Sequence, residues 1–77
     1  MRQKLKRLID SGADIEFSVN GKRYVILPWT DMGVIVGMHG TDDDSVFQNA
    51  DAVIDGYIID GKPLAAWLDV LRINFNG

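Results

Sequence analysis

The fold of this chain is decided by residues 14–27, which read DIEFSVNGKRYVIL. Apolar and polar side chains alternate on both sides of Asn20-Gly21, as they do in half-buried strands. Asn-Gly is favoured in a type I′ turn, because both central residues of that turn need a positive φ. Counting outward from the turn pairs Val19 with Lys22, Phe17 with Tyr24 and Ile15 with Ile26. We therefore predict an antiparallel hairpin in which Phe17 and Tyr24 stack on the buried face.

A helix precedes this hairpin and a third strand follows it. Apolar residues recur at helical spacing over residues 2–11, which predicts a helix that ends at Gly12. Pro28 is expected to end the second strand, because proline cannot donate to a sheet ladder. The apolar run over residues 34–38 predicts a third strand, antiparallel to the second.

The second half of the chain predicts two helices. Ser45 and Gln48 form a capping-box pattern, and apolar residues then recur at helical spacing up to Gly56. Pro63 suits the first position of a further helix, because that position needs no N–H donor. Apolar residues alternate over residues 71–75, and this pattern is compatible with a short final strand that rejoins the sheet.

The predicted fold is a single α+β domain over residues 1–77. It has a short N-terminal helix, a three-stranded antiparallel sheet and two C-terminal helices, with or without a short final strand. Between the two C-terminal helices, residues 57–59 are predicted to be extended and Asp60-Gly61 to form a turn.

Composition excludes several classes of protein. The 77 residues are 47% hydrophobic, as in a folded domain, and the absence of cysteine excludes disulfides, thiolate metal sites and cysteine nucleophiles. No stretch approaches the roughly 18 apolar residues that cross a bilayer. The basic N-terminus is not followed by the apolar segment of a signal peptide. We therefore expect a cytoplasmic protein with no membrane partner.

The net charge of −3 conceals an asymmetry. Residues 1–38 carry six Lys/Arg and four Asp/Glu, a net charge of +2, whereas residues 39–77 carry two and seven, a net charge of −5. This distribution favours a protein partner, or a paired surface in a homodimer, over a uniform grip on nucleic acid. The basic first helix keeps nucleic acid as an alternative, although neither a helix-turn-helix nor an aromatic platform accompanies it.

The densest run of charge is Asp42, Asp43 and Asp44. Its spacing is not that of a calcium loop, which needs alternating acidic positions, a central glycine and a final glutamate. One explanation is structural, because acidic residues just before a helix interact favourably with its positive end. The other is an acidic binding patch that also includes Asp51 and Asp55, on the polar side of the second predicted helix, and that imitates phosphates.

The sequence contains no convincing catalytic or metal-binding constellation. His39 is the only histidine, and a catalytic imidazole needs a nucleophile or an orienting carboxylate beside it. A zinc site needs about three or four strong ligands. Neither Gly37-Met38-His39-Gly40 nor Asp60-Gly61-Lys62-Pro63 matches a phosphate-binding glycine motif. We therefore predict no catalytic residue, no metal and no cofactor, and we expect that the protein is not an enzyme.

Trp29 follows Pro28 in a predicted turn, close in sequence to Met32. An exposed tryptophan with methionine neighbours is typical of an interface anchor. A tryptophan folded back over the sheet edge would instead belong to the core, and both interpretations remain open. Trp67, on the apolar stripe of the last predicted helix, is expected to be core.

Three segments carry a resemblance to known proteins: residues 14–17, residues 20–24 and Asp60-Gly61-Lys62-Pro63-Leu64. They resemble segments of small uncharacterised proteins from phages and prophages of Gram-positive bacteria. The resemblance implies an accessory phage protein, a class that includes inhibitors of host defence nucleases such as anti-CRISPR proteins. The predicted helix, three-strand and helix order is also similar in outline to acidic anti-CRISPR proteins.

The leading hypothesis is a phage-type protein-binding module that inhibits a bacterial defence nuclease or another host protein through an acidic surface. Its predicted contact residues are Asp42, Asp43, Asp44, Asp51 and Trp29. The alternative hypothesis is a nucleic-acid-binding regulator that uses the basic first helix.

Overall fold

The fold is built outward from the hairpin at Asn20-Gly21. The computed structural model describes the backbone of residues 1–77 and every side chain except that of Asn76. Asn20 and Gly21 have φ values of 53° and 76°, as a type I′ turn requires. The predicted register is confirmed, with Val19 paired with Lys22, Phe17 with Tyr24 and Ile15 with Ile26. The rings of Phe17 and Tyr24 stack as predicted, with 5.3 Å between their centroids.

Over residues 1–77, whose backbone the structure describes, the chain forms two α-helices, seven strands and one 3₁₀ helix. In chain order these are α1 (Arg2–Asp10), β1 (Ile15–Val19), β2 (Lys22–Thr30), β3 (Gly33–Met38), β4 (Asp44–Phe47), α2 (Ala50–Gly56), β5 (Ile58–Ile59), β6 (Lys62–Pro63), the 3₁₀ helix (Leu64–Trp67) and β7 (Arg72–Asn76). The first helix and the third strand form where they are predicted. Neither described α-helix is long and apolar enough to cross a membrane.

Five of the strands form one antiparallel sheet in the order β4-β3-β2-β1-β7, and β5 pairs with β6 in a separate hairpin. Helices α1 and α2 and the 3₁₀ helix pack on one face of the large sheet, which we call the core face. The largest fully buried side chains there are Phe17, Leu5, Ile15, Ile26, Ile54, Leu64, Val19, Val36 and Val53. Burial on a single face is the expected arrangement for an α+β domain of two layers.

A fourth strand lies where the second helix is predicted to begin, so the predicted three-stranded sheet is wrong. Residues 44–47 form β4, which pairs with β3 in antiparallel register. Phe47 packs against the core, with its ring edge-on to that of Tyr57 at 6.3 Å between centroids. Pairing with the free edge of β3 and burial of Phe47 outweigh the local helix signal after Ser45, because tertiary context overrides propensity.

Helix α2 begins at Ala50 rather than at Ser45. Asn49 is its N-cap, and the side-chain oxygen of Asn49 accepts a hydrogen bond from the N–H of Ala52 at 2.9 Å. The Asp42–Asp44 run therefore leads into a strand, and the helix-capping explanation for it is wrong.

The predicted third helix is also wrong. Residues 62–63 pair with residues 58–59 across the predicted turn at Asp60-Gly61, whose φ values are 48° and 83°. Helical structure is limited to one 3₁₀ turn, after which the chain returns to the sheet as β7 and pairs with β1. The final strand that the sequence left open is thus present. Trp67 is half-buried against the core, and its indole N–H donates to the carbonyl oxygen of Ile59 at 2.9 Å.

The second strand continues beyond its predicted end at Pro28. Its pairing with β3 shifts register between Leu27 and Thr30. Pro28 lies within that irregularity, where the regular ladder is interrupted and its missing N–H is tolerated.

Candidate functional site

The face of the sheet opposite the core face carries apolar side chains that the helices do not cover. Because successive side chains of a strand point to opposite faces, the neighbours of the buried residues point away from the core. We call this surface the open face, and its apolar members are Val25 and Leu27 of β2, Ile35 of β3, Val46 of β4 and Phe75 of β7. Val46 and Phe75 are 50% and 56% exposed, and the other three are half-buried.

The central strands supply apolar side chains to both faces at once. Residues 24–27 read YVIL and residues 34–36 read VIV, so apolar residues occupy consecutive positions rather than alternate ones. Continuous apolar runs are typical of strands that are covered on both sides. In this domain the helices cover one side only. The open face was not predicted from the sequence. The apolar runs indicate strands, but they do not show which part of the chain covers the second face of each strand.

Two adjoining cavities form a groove in the open face, with volumes of about 190 and 250 Å³. Val25 and Leu27 line both cavities, and His39 lies beside both. We call the pair the open-face groove. It extends on one side to Asp44 of β4 and on the other to Phe75 of β7.

Carboxylates border the open-face groove on both sides. Asp44 lies over Gly37, so closely that a Cβ added to Gly37 would collide with the carboxylate of Asp44. Asp44 forms none of the ion pairs found among the described side chains. On the other side, Glu16 lies 3.9 Å from the guanidinium of Arg23, and Asp14 also lines the groove. The apolar floor therefore has a negative border.

The three aspartates of the predicted patch lie beside this groove. Asp42, Asp43 and Asp44 are all exposed. The backbone N–H of Asp43 donates to the Thr41 hydroxyl at 3.3 Å, which orders the loop that leads into β4. Of the three, only Asp44 lines the groove, and Asp42 and Asp43 precede it in the loop that leads into β4.

Trp29 is exposed over 62% of its surface, and Met32, in the adjacent β2–β3 turn, is exposed over 70%. The indole N–H of Trp29 donates a hydrogen bond to the carboxylate of Asp14, which lines the groove. Of the two interpretations of Trp29, the structure therefore favours an exposed side chain next to the groove over one within the core.

Asp51 lies elsewhere, on the helical side of the domain. Its carboxylate accepts hydrogen bonds from Lys6 at 3.1 Å and from Arg2 at 3.3 Å, and Arg2 also contacts Asp55 at 3.0 Å. The structure does not bring Asp51 together with the Asp42–Asp44 run. The contacts of the Asp51 carboxylate link α2 to α1 instead. The basic first helix carries four cations, Arg2, Lys4, Lys6 and Arg7. These contacts engage two of them, Arg2 and Lys6.

These ion pairs shift the pKa values of Asp51, Asp55 and Arg2. Lys6, and then Arg2, hold the pKa of Asp51 below its ordinary value of 3.8 by hydrogen bonding. Arg2 likewise lowers the pKa of Asp55. The pKa of the Arg2 guanidinium is raised in turn, chiefly by its hydrogen bond to Asp55.

We expect Asp51→Asn to destabilise the domain slightly at neutral pH and much less in acid. A carboxyl pKa that is lowered in the folded state stabilises the fold above the ordinary value of 3.8, and this stabilisation is lost as the pH falls through the lowered value. Thermal unfolding at neutral pH and below about pH 3 checks the prediction. Asp69→Asn, which removes an exposed carboxylate from the loop after the 3₁₀ helix, is the matched control. A loss of stability that persists in acid would contradict an electrostatic origin.

His39 is exposed, and its backbone N–H donates to the carbonyl oxygen of Arg23 at 2.9 Å. His39 lines both cavities of the open-face groove, which the sequence alone did not indicate. Among the described side chains, no three His, Asp or Glu residues are placed so that they could hold a metal ion. The geometry at His39 is therefore that of a surface contact residue.

Comparisons with protein families, curated proteins and solved structures found no match to this chain. Function is therefore inferred from the geometry of the open face and the residues that border it.

Proposed function

We propose that this domain is a protein-binding module that holds its partner against the open face of the sheet. The observation that supports this proposal most directly is the pair of central strands that are apolar on both faces but covered on one. Apolar surface left in contact with water is a feature of interaction sites, because burying it in a complex is favourable. A protein partner would supply the layer that the sheet lacks on this side.

The shape of the open face favours a macromolecular partner over a small molecule. Its apolar side chains belong to four of the five strands, from Val46 of β4 at one edge to Phe75 of β7 at the opposite edge. Ligand pockets for small molecules bury most of their ligand in a concave site, whereas this surface is broad and shallow. Trp29 and Met32 at its margin are of the residue types that anchor protein interfaces.

We further propose that the module is a phage-type inhibitor of a bacterial defence nuclease or another host protein. The support is the resemblance carried by the hairpin and by Asp60-Gly61-Lys62-Pro63-Leu64, together with the acidic border of the groove. The likeness in outline to acidic anti-CRISPR proteins used a three-stranded sheet, so the five-stranded sheet removes that part of the support.

The nucleic-acid alternative has less support. Arg2 and Lys6 of the basic helix are engaged by Asp51 and Asp55, and the groove is bordered by carboxylates that repel phosphates. A gel shift at low salt separates the two proposals. We expect no shift at micromolar protein, and a salt-sensitive shift that Lys4 and Arg7 substitutions abolish would favour nucleic acid instead.

The proposed function is tested by affinity capture from a lysate of a Gram-positive bacterium, with wild type and two variants as bait. Leu27→Lys places a positive charge on the floor of the groove and should release the captured protein. Ile58→Lys changes an equally apolar side chain, 57% exposed in the separate β5–β6 hairpin, and should retain it. Circular dichroism confirms that both variants are folded. A partner retained equally by all three baits, or by none, would overturn the open face as the binding surface.

A further inference from the structure

We propose that the open-face groove receives an arginine or lysine side chain from a basic segment of the partner protein. This inference rests on the proposed function and specifies the chemistry of the occupant. It follows from two properties that the groove combines: an apolar floor and carboxylates on both sides of it.

The floor suits the stem of a long basic side chain. Val25 and Leu27 are shared by the two cavities, so the apolar strip between them is continuous. Lysine and arginine bury their methylene stems along apolar surface while the charged head remains in a polar environment. An acidic or phosphorylated segment lacks so long an apolar stem and would also meet like charge.

The border suits the charged head. Asp44 stands on one side of the strip and Glu16 on the other, so a cationic head finds a carboxylate in either direction along the groove. Glu16 forms one ion pair among the described side chains, with Arg23 at 3.9 Å, which is the longest of the ion-pair distances there. Charge-assisted hydrogen bonds from a guanidinium to a carboxylate are stronger than neutral ones and are often bidentate. A partner arginine therefore gains contacts that these carboxylates do not already make.

The loop before β4 adds a longer-range attraction. Asp42 and Asp43 are exposed and directly precede Asp44 in the chain. Charge of one sign around a binding surface speeds the encounter with a partner of the opposite sign. Basic segments are thus favoured both in the approach to the groove and within it.

The inference is tested by following the backbone amide chemical shifts of the domain during titration with an acetylated, amidated peptide of sequence Ala-Arg-Leu-Arg-Ala. A second peptide carries citrulline at both arginine positions, which keeps the shape and removes the charge. We expect the arginine peptide to shift the amides of Val25, Leu27 and Gly37, and to bind at least about fivefold more tightly than the citrulline peptide, as two exposed charge pairs would give.

Two variants locate the charge that is recognised. Asp44→Asn should weaken the arginine peptide by about two- to fivefold, whereas Asp69→Asn, which lies away from the groove, should leave its affinity unchanged. The difference between wild type and Asp44→Asn should vanish at high salt, because exposed charge pairs are screened.

The possible outcomes separate this inference from the proposed function. Equal binding of the two peptides at the groove would overturn the preference for a cation and leave the open face as a docking surface. Absence of binding by either peptide would overturn the inference, and the Leu27→Lys capture experiment then decides the proposed function separately. Shifts of the same amides with protein concentration alone, together with a doubled mass in light scattering, would assign the open face to a second copy of this chain and overturn both.

Discussion

Replacing Phe17 by alanine is expected to lower the free energy of unfolding by about 3–5 kcal/mol, which is typical of a large buried aromatic residue. Phe17 has no exposed surface and stacks on Tyr24 at 5.3 Å between ring centroids. Removing the ring leaves a cavity between the sheet and the helices and deletes the aromatic pair. A folded domain is stable by only about 5–15 kcal/mol, so this one variant brings the chain close to unfolding.

Phe75→Ala is the matched control for this prediction. Phe75 lies on β7, which pairs directly with the strand of Phe17, but its side chain is on the open face and is 56% exposed. The same chemical change there should cost about 1 kcal/mol or less, because no closed cavity is formed. Urea unfolding of both variants measures the two values. Similar losses for Phe17 and Phe75 would mean that the open face is covered within the folded domain, contrary to the structure.

The second large effect is expected for Gly33→Ala, at about 2–5 kcal/mol, from two costs that add. Gly33 has a φ of 120°, a conformation that side-chain-bearing residues rarely adopt, and strain of this kind costs about 1–3 kcal/mol. In addition, a Cβ on Gly33 would lie 2.5 Å from the carbonyl oxygen of Phe47. That oxygen belongs to the backbone of β4, so relief of the contact would require the edge strand to move.

Gly12→Ala separates these two costs. Gly12, which follows α1, also has a positive φ, 81°, but a Cβ there would have no atom within 4 Å. Its loss should be limited to the left-handed conformation, about 1–2 kcal/mol. Thermal or urea unfolding of both glycine variants gives the comparison. If Gly33→Ala costs no more than Gly12→Ala, then β4 yields easily and the pairing of β4 with β3 is weaker than its register suggests.

The candidate site was only partly foreseeable from the sequence. The charge run Asp42–Asp44 and the aromatic Trp29 are predicted from the sequence as candidate contact residues. All four residues are exposed, as segments next to turns usually are, and Asp44 lines the open-face groove. Asp51 was grouped with them on charge alone. Its carboxylate is instead engaged by Arg2 and Lys6, and that contact joins residues almost 50 positions apart in the chain. No local pattern contains this information.

The floor of the groove was not foreseen, although its signal is present. Val25, Leu27 and Ile35 belong to apolar runs that were interpreted as strands. A continuous apolar run indicates that burial is favourable for both faces of a strand. It does not indicate whether another part of the same chain buries the second face. That depends on where α1, α2 and the 3₁₀ helix pack, which is a property of the assembled domain.

Some secondary-structure elements are specified by neighbouring residues and are therefore predictable from the sequence. The Asn20-Gly21 turn and the alternation beside it fix the register of β1 with β2, because a two-residue turn leaves one way to pair the flanking residues. The helical spacing that ends at Gly12 likewise fixes α1, and the turn at Asp60-Gly61 has the positive φ values that its residues favour.

The two edge strands of the sheet, β4 and β7, and the surface between them depend instead on tertiary packing. Residues 44–47 carry a helix start signal but form β4, since the free edge of β3 is beside them and Phe47 packs, half-buried, against the core. β7 pairs with β1 across most of the chain, with Ser18 opposite Arg72. Such pairings depend on which hydrogen-bonding edge and which apolar face remain unsatisfied after the local elements form, and that is settled by packing rather than by the order of neighbouring residues.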